Sequence, residues 1–202
     1  MRIAVLGTGT MGVTFAKGLQ RVGHDVVLGS RDPGRHRDLP LPVRTSAEAI
    51  VGGDLVVNAL DGRSSLDALT AMRGELDGHI LLDVGNAVDE NFDPIYPDSS
   101  LGERLQFALP GTRVVKSLST LWGGVAVEPA MLSAPTTVFL SGDDPAAKAV
   151  VAGVLGDLGW TPDTQLDLGG IATSRAVEYY FVLFTRIRLN GDDPAFNIAV
   201  VR

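Results

Sequence analysis

The sequence predicts an α/β fold, a doubly wound and mostly parallel sheet flanked by helices, with a small C-terminal helical subdomain. Three observations predict it. Short apolar, β-branched runs alternate with helix-length segments along most of the chain, the pattern of parallel strands joined by right-handed crossovers. The runs are apolar almost throughout, as in Leu55–Leu60, which marks strands covered on both faces. The first run also passes through a glycine-rich turn straight into a helix.

That first unit organises the rest. Arg2-Ile3-Ala4-Val5-Leu6 is followed directly by Gly7-Thr8-Gly9-Thr10-Met11-Gly12, and Val13, Phe15, Ala16, Leu19 and Val22 then recur at helical spacing. Asp25-Val26-Val27-Leu28-Gly29 reads as the second strand. A G-x-G-x-x-G signal alone is weak, but strand, glycines, helix and strand in this order are the context that gives it meaning. In such a turn Gly7 allows the tight bend, Gly9 lets backbone approach a pyrophosphate, and Gly12 lets helix and strand pack closely. The helix beginning near Thr10 presents free N–H groups and roughly half a positive charge to that anion. The predicted architecture is therefore Rossmann-type and its ligand a dinucleotide.

The end of the second strand selects the dinucleotide. NAD sites carry an acid about 20 residues beyond the glycines, where it bonds the ribose 2′-hydroxyl. This chain has Gly29-Ser30-Arg31 there, and Arg35 one turn later. A hydroxyl and guanidinium groups suit a 2′-phosphate. At roughly 1.5–3 kcal/mol per charged hydrogen bond, two contacts favour the phosphorylated nucleotide by about a hundredfold or more. Asp32 precedes Pro33 and reads as a helix N-cap. The expected cofactor is NADP.

The remaining elements follow in order. Arg31–Pro42 is a charged, Pro-rich loop, and Leu41–Arg44 is a candidate edge strand. Thr45 or Ser46 caps a helix that ends at Gly52-Gly53. After the strand Asp54–Leu60, Leu66–Leu76 reads as a helix, Ile80–Val84 as a strand, and Val88–Ser100 as the longest irregular stretch. Ser100 starts another helix, Arg113–Leu118 is a strand, and Ser119–Ala126 a glycine-containing loop. Thr136–Leu140 is a strand, Ala146–Leu158 a helix capped from Ser141–Pro145, and Thr161–Leu168 extended. Ala172–Leu189 is the longest helix, apolar around most of its circumference, which calls for burial on both sides and makes a second subunit the natural cover. Phe196–Val201 closes the chain as a strand or extended tail. The expected division is a dinucleotide-binding domain over residues 1–141 and a substrate and dimerisation subdomain over 142–202, which could extend the same sheet.

Composition sets bounds. The 202 residues are 45% hydrophobic, enough for one α/β domain with an appendage. A net charge of −7 argues against nucleic acid or an anionic membrane as partner. There is no cysteine, so no disulfide, thiol nucleophile or thiolate metal site, and no His/carboxylate metal cluster is evident. The first strand begins at residue 2 and no apolar run has the length of a membrane span, so a cytoplasmic protein is expected, and the apolar circumference of the long helix makes it a homodimer.

The ordered series of motifs resembles the NADP oxidoreductases related to the NADPH-dependent reductase of the deazaflavin coenzyme F420. Gly7–Gly12, Gly23-His24-Asp25-Val26 and Gly29-Ser30-Arg31 match the nucleotide half. Asp83–Asn86, Val114–Leu118, Ser141–Asp144 and Lys148 match the second half, and Asp167–Gly169, Ser174-Arg175, Glu178 and Phe196–Ile198 resemble the bacterial branch. The resemblance implies that Thr8–Met11 line the pyrophosphate and that Ser30, Arg31 and Arg35 hold the 2′-phosphate. It also implies that Ala59, Leu60 and Asn86 approach the ribose and nicotinamide, with Ser119–Trp122 over the nicotinamide face. Ser119 stands where many bacterial members carry Asn, which leaves the second substrate open.

Hydride transfer between two rings asks little of side chains beyond stacking. His24 falls in a turn, His36 in the charged loop and His79 at a strand start, and all three read as structural. Lys116, near the carboxyl end of its strand, is the acid/base candidate, set against an ion-paired strand lysine. Ser119 is a candidate hydrogen-bond donor to a carbonyl or imine, and Trp122 a stacking or interface residue. Arg175 and Glu178 read as a surface pair. Three functions compete: hydride transfer between NADPH and the deazaflavin, reduction of a small carbonyl or imine compound, and a non-catalytic NADP sensor whose nicotinamide face would be blocked.

Overall fold

The sheet is built outward from β1 (Arg2–Leu6), which pairs in parallel with β2 (Asp25–Ser30) on one side and β4 (Leu55–Asn58) on the other. In the computed structural model, which describes residues 1–201, β3 (Val43–Thr45) lies beyond β2, while β5 (Ile80–Asp83) and β6 (Arg113–Lys116) follow β4. The strand order is therefore β3-β2-β1-β4-β5-β6, and every pairing is parallel. Alternation along β1 divides the core, since Ile3 and Val5 join the apolar cluster on one face and Ala4 and Leu6 the cluster on the other.

α1 (Thr10–Arg21) covers the first face with Phe15 and Leu19, alongside α7 (Pro145–Asp157) and the buried Trp160, whose indole N–H donates to the Ala126 carbonyl at 2.9 Å. The other face carries α2 (Ser46–Val51), α3 (Gly62–Thr70), α4 (Arg73–Leu76) and α5 (Leu101–Ala108) through Ile50, Leu69, Leu76 and Leu105. Thr45 and Glu48 form a reciprocal capping box at the start of α2. The single helix expected over Leu66–Leu76 starts earlier and breaks in two. The Thr70 hydroxyl donates to the Leu66 carbonyl at 2.7 Å, a back-bond that bends helices. Gly123–Val127, expected as loop, is the short helix α6.

β7 (Val138–Leu140), α7 and β8 (Gln165–Asp167) form a second, two-stranded parallel unit, tied to the main sheet where Lys116 and Ser141 exchange backbone hydrogen bonds of 2.8 and 3.0 Å. α8 (Ser174–Asn190) then runs past α5. The tail after it is extended without strand pairing, held by Thr137 N–H on the Ile198 carbonyl and by the Thr137 hydroxyl, which accepts from Val200 N–H. α8 is not buried on both sides. Val177 and Phe184 are covered, while Tyr179, Leu183 and Ile187 are 45%, 54% and 41% exposed. Among the described residues no helix is long and apolar enough to cross a membrane.

Candidate active site

The turn after β1 depends on glycine at both ends. Gly7 has φ +117°, and a Cβ there would lie 2.6 Å from the Ala59 carbonyl oxygen. A Cβ on Gly12 would overlap the Gly7 carbonyl, so helix and turn approach more closely than any side chain permits. Gly9, between them, borders open space, with nothing within 4 Å of where a Cβ would sit. α1 begins there with no side-chain cap and no acid in its first turn, so its first N–H groups face that space unpaired. Gly7, Thr8, Gly9, Thr10, Met11 and Gly12 thus frame a cradle for an anion.

At the carboxyl end of β2, Ser30 is buried and its hydroxyl accepts from Asp32 N–H at 3.1 Å, leaving the O–H free to donate. Arg31 is exposed beside it. Asp32 does precede a helical turn, Pro33–His36, but its carboxylate caps nothing. It pairs instead with Arg35 Nε at 3.0 Å. His36, read as a structural loop residue, reaches back to the glycine turn, its Nε2 3.0 Å from Thr8 Oγ1.

On the far side of the turn lies a cleft of about 490 Å³ at the carboxyl ends of the strands. Gly9, Thr10 and Met11 form one rim, Ala59–Gly62 and Val84–Asn86 the floor, and Leu118, Ser119, Leu121 and Trp122 the wall after β6. Leu118 has φ +59°, uncommon for a branched residue, and turns the chain so that Ser119 enters the cleft wall. The Asn86 side-chain amide donates to the Ser119 carbonyl at 2.6 Å. Asn86 Oδ1 and Ser119 Oγ are both buried and without a partner.

The fourth wall was not foreseen. Phe181, Phe184 and Arg188 of α8 line the cleft, with Phe184 stacked between Phe181 and Phe196 at 5.8 and 4.9 Å. Their spacing of three and four was visible in the sequence as a helical stripe, but nothing local said that the stripe would meet the strand ends rather than another subunit. Arg188 donates only a 3.4 Å bond to the Gly191 carbonyl and pairs with no carboxylate among the described residues. The neighbouring charge, Asp61, is bound to Arg63, whose side chain and N–H hold its carboxyl down to about 2.

Lys116 is not in this cleft. Its ammonium is fully buried, 2.9 Å from Asp83 Oδ2 and 2.9 Å from Glu178 Oε1, and it also donates to the Gly85 carbonyl. Burial alone pulls the ammonium down, but Asp83 and Glu178 together outweigh it and raise its pKa. A lysine so held cannot deliver a proton near neutrality, so its expected acid/base role gives way to an ion-paired one. Glu178 likewise does not pair with Arg175. It accepts from the N–H groups of Leu101 and Gly102 at 2.8 and 3.1 Å, capping α5, while Arg175 pairs with Glu103 at 3.0 Å. Ser65, Asn58 and Asp83 continue the network, Asn58 donating to Ser65 at 2.6 Å and to Asp83 at 2.8 Å.

The family model described as NADP oxidoreductase, coenzyme F420-dependent, matches residues 2–87. Over its whole length the chain is 37% identical to a candidate F420-dependent NADP reductase from Arthrobacter sp. FB24, with a TM-score of 0.92 and complete coverage of both chains. The chain belongs to this family. It is an NADP-dependent oxidoreductase, and NADP is its cofactor. It is also 29% identical to metalloreductase STEAP3 of Rattus norvegicus over 179 residues, which are 88% of this chain but only 36% of that protein. An imine reductase from Myxococcus stipitatus in complex with NADP+ shares the fold at a TM-score of 0.71 and 16% identity, over 95% of this chain and 63% of that one.

The residues present fit such a cofactor. The open cradle at Gly9 and the uncapped start of α1 suit a pyrophosphate, Ser30 with Arg31 and Arg35 suits a phosphomonoester, and the orphaned Asn86 and Ser119 oxygens need donors or acceptors that no side chain provides. The cleft between them is open rather than filled by Trp122 or α8.

Proposed function

We propose that this oxidoreductase moves a hydride between NADPH and a planar ring acceptor, the deazaflavin coenzyme F420, and that the acceptor occupies the cleft beneath α8. One observation carries the reading: the cleft at the carboxyl ends of the strands has a wall of Phe181, Phe184 and Trp122, and Arg188 at its margin. A ring stacks on such a wall, and an anionic substituent on it meets the unpaired guanidinium. NADPH supplies the hydride when bound. The chain aligns the two rings, excludes water and fixes the nicotinamide through Asn86 and Ser119. In this reading residues 142–202 form the acceptor side of the site, and Tyr179, Leu183 and Ile187, one exposed stripe along α8, pair two copies.

A second reading rests on Ser119. Its buried, unpartnered hydroxyl is placed to donate to a carbonyl or imine, so a small-molecule reductase is the alternative. Anaerobic NADPH oxidation with F420, with cyclic imines and carbonyl compounds, and with ferric chelates, as the metalloreductase relatives suggest, separates these acceptors. Rapid oxidation with F420 alone supports the deazaflavin. Turnover of imines or carbonyls without F420 would transfer the assignment to the second reading.

A further inference from the structure

The Trp122-Gly123-Gly124 segment opens α6 with two glycines that the backbone does not need. Neither has a left-handed φ, and glycine weakens a helix relative to alanine. Packing is what excludes a side chain. A Cβ on Gly123 would lie 3.0 Å from Met11 Sδ and 3.3 Å from Thr14 Cγ2, so α6 sits tightly on α1 at the rim of the cleft. A Cβ on Gly124 would lie 2.6 and 2.7 Å from Cη2 and Cε3 of Trp122, and closer still to Cζ3 between them. Three successive ring atoms at such similar distances mean that the indole turns its face to Gly124. Approached edge-on, one atom would be far nearer than its neighbours.

The aromatic residues lining the cleft are not equivalent. Phe184 is 7% exposed, with its faces taken by Phe181 and Phe196 in near-parallel stacks at 20° and 22°, and Phe181 is committed to that stack. Among the described residues Trp122 stacks on no other ring, and it is 39% exposed in the cleft wall. Its indole therefore rests one face on bare backbone and keeps the other for a ligand. The side chain is already ordered, so a ring that stacks on it does not have to immobilise it first.

We infer that Trp122 is the specificity-determining residue for the acceptor, the platform on which its ring lies, and that Gly124 is the positioning residue that lets the indole lie flat. The inference rests on the ring acceptor proposed above and says which side chain receives it. A fused planar ring gains on an indole face both by stacking and by the apolar area it removes from water. A small imine or carbonyl compound covers little of that face. The platform thus selects fused rings over small compounds in the same open cleft.

Oxidised F420, titrated by calorimetry into protein saturated with NADP+, reads acceptor binding without turnover. Trp122→Ala should weaken F420 binding about 5- to 100-fold, the loss seen when a stacking aromatic is removed from beneath a base, with NADPH affinity nearly unchanged. Trp122→Phe should recover most of that loss. Gly124→Ala should weaken F420 to a similar degree, because its methyl displaces the indole. Added to Trp122→Ala, it should weaken F420 no further and should raise Tm, since alanine suits a helix with no ring above it. F420 bound equally well by the wild type and Trp122→Ala, an equal loss of NADPH affinity, or an additive loss from Gly124→Ala overturns the inference and leaves the deazaflavin reading standing. A wild type that neither binds nor reduces F420 overturns that reading, and the inference with it.

Discussion

Replacing Lys116 with Met removes the one cation from a buried site that keeps two carboxylates. Asp83 and Glu178 each lie 2.9 Å from the ammonium, and Lys116 and Asp83 are fully buried. Breaking a buried pair by deleting one partner costs about 3–5 kcal/mol, because the remaining charge has neither water nor counterion. In a chain of this size each kcal/mol lowers Tm by about 2–4 °C, so a fall of about 6–20 °C is expected at pH 7. The sign with pH follows. The wild-type Lys116 pKa is raised, so its stabilisation is complete below the ordinary ammonium range of about 10.4 and disappears only as pH rises through the raised value. The stability gap between wild type and variant should therefore persist through neutral pH and close only in strong alkali. Calorimetric scans of both proteins across this range provide the measurement. An unchanged Tm, with kcat lost and its pH profile altered, would refute the ion-pair reading and return Lys116 to proton transfer.

Four other outcomes are expected. Arg31→Ala should weaken NADPH binding about 10- to 150-fold and leave NADH almost untouched, and equal losses would remove Arg31 from the 2′-phosphate site. Gly12→Ala pushes a methyl into the Gly7 carbonyl, so both nucleotides should bind more weakly and stability should drop by about 1–3 kcal/mol, which denaturant titration and calorimetry would show. Arg188→Ala should raise the KM of an anionic acceptor while NADPH affinity stays put, and an unaltered KM would argue for a neutral substrate. Burial of Glu103 works to raise its pKa, but Arg175 and the Ser100 hydroxyl outweigh it and hold the carboxyl low. Its contribution is thus present above about pH 4.3 and lost as pH falls below, a loss that Arg175→Ala should shrink in acid unfolding curves.

What the sequence made legible was local or nearly so. The glycine spacing, the switch from period two to 3.6 and the Ser30-Arg31 pair at the end of β2 concern neighbours within one βαβ unit, and Gly7, Gly12, Ser30 and Arg31 stand in the turn and at the strand end. Arg188 and the phenylalanines of α8 were harder. The apolar residues around Phe181 and Phe184 require burial without naming the surface that supplies it, and that surface, the loops after β4, β5 and β6, is gathered only by the fold. The contact between Thr8 and His36 is illegible for the same reason, since the two are close in space through the β1–β2 pairing and not through the chain.

Lys116 shows where a further step was possible. Once β4, β5 and β6 are placed side by side, their register sets Asn58 opposite Asp83 and Asp83 opposite Lys116, a row of polar residues at the ends of three strands. Lys116 and Asp83 are fully buried, so the row must satisfy itself, and it does so by bonding the backbone just beyond it. Asn58 accepts from Leu60 N–H, Asp83 from Gly85 N–H, and Lys116 donates to the Gly85 carbonyl. Those residues belong to the floor of the cleft. The buried charges thus set the shape of the surface on which nucleotide and acceptor meet, and Glu178 extends the same hold to α8, whose next turns carry Phe181, Phe184 and Arg188.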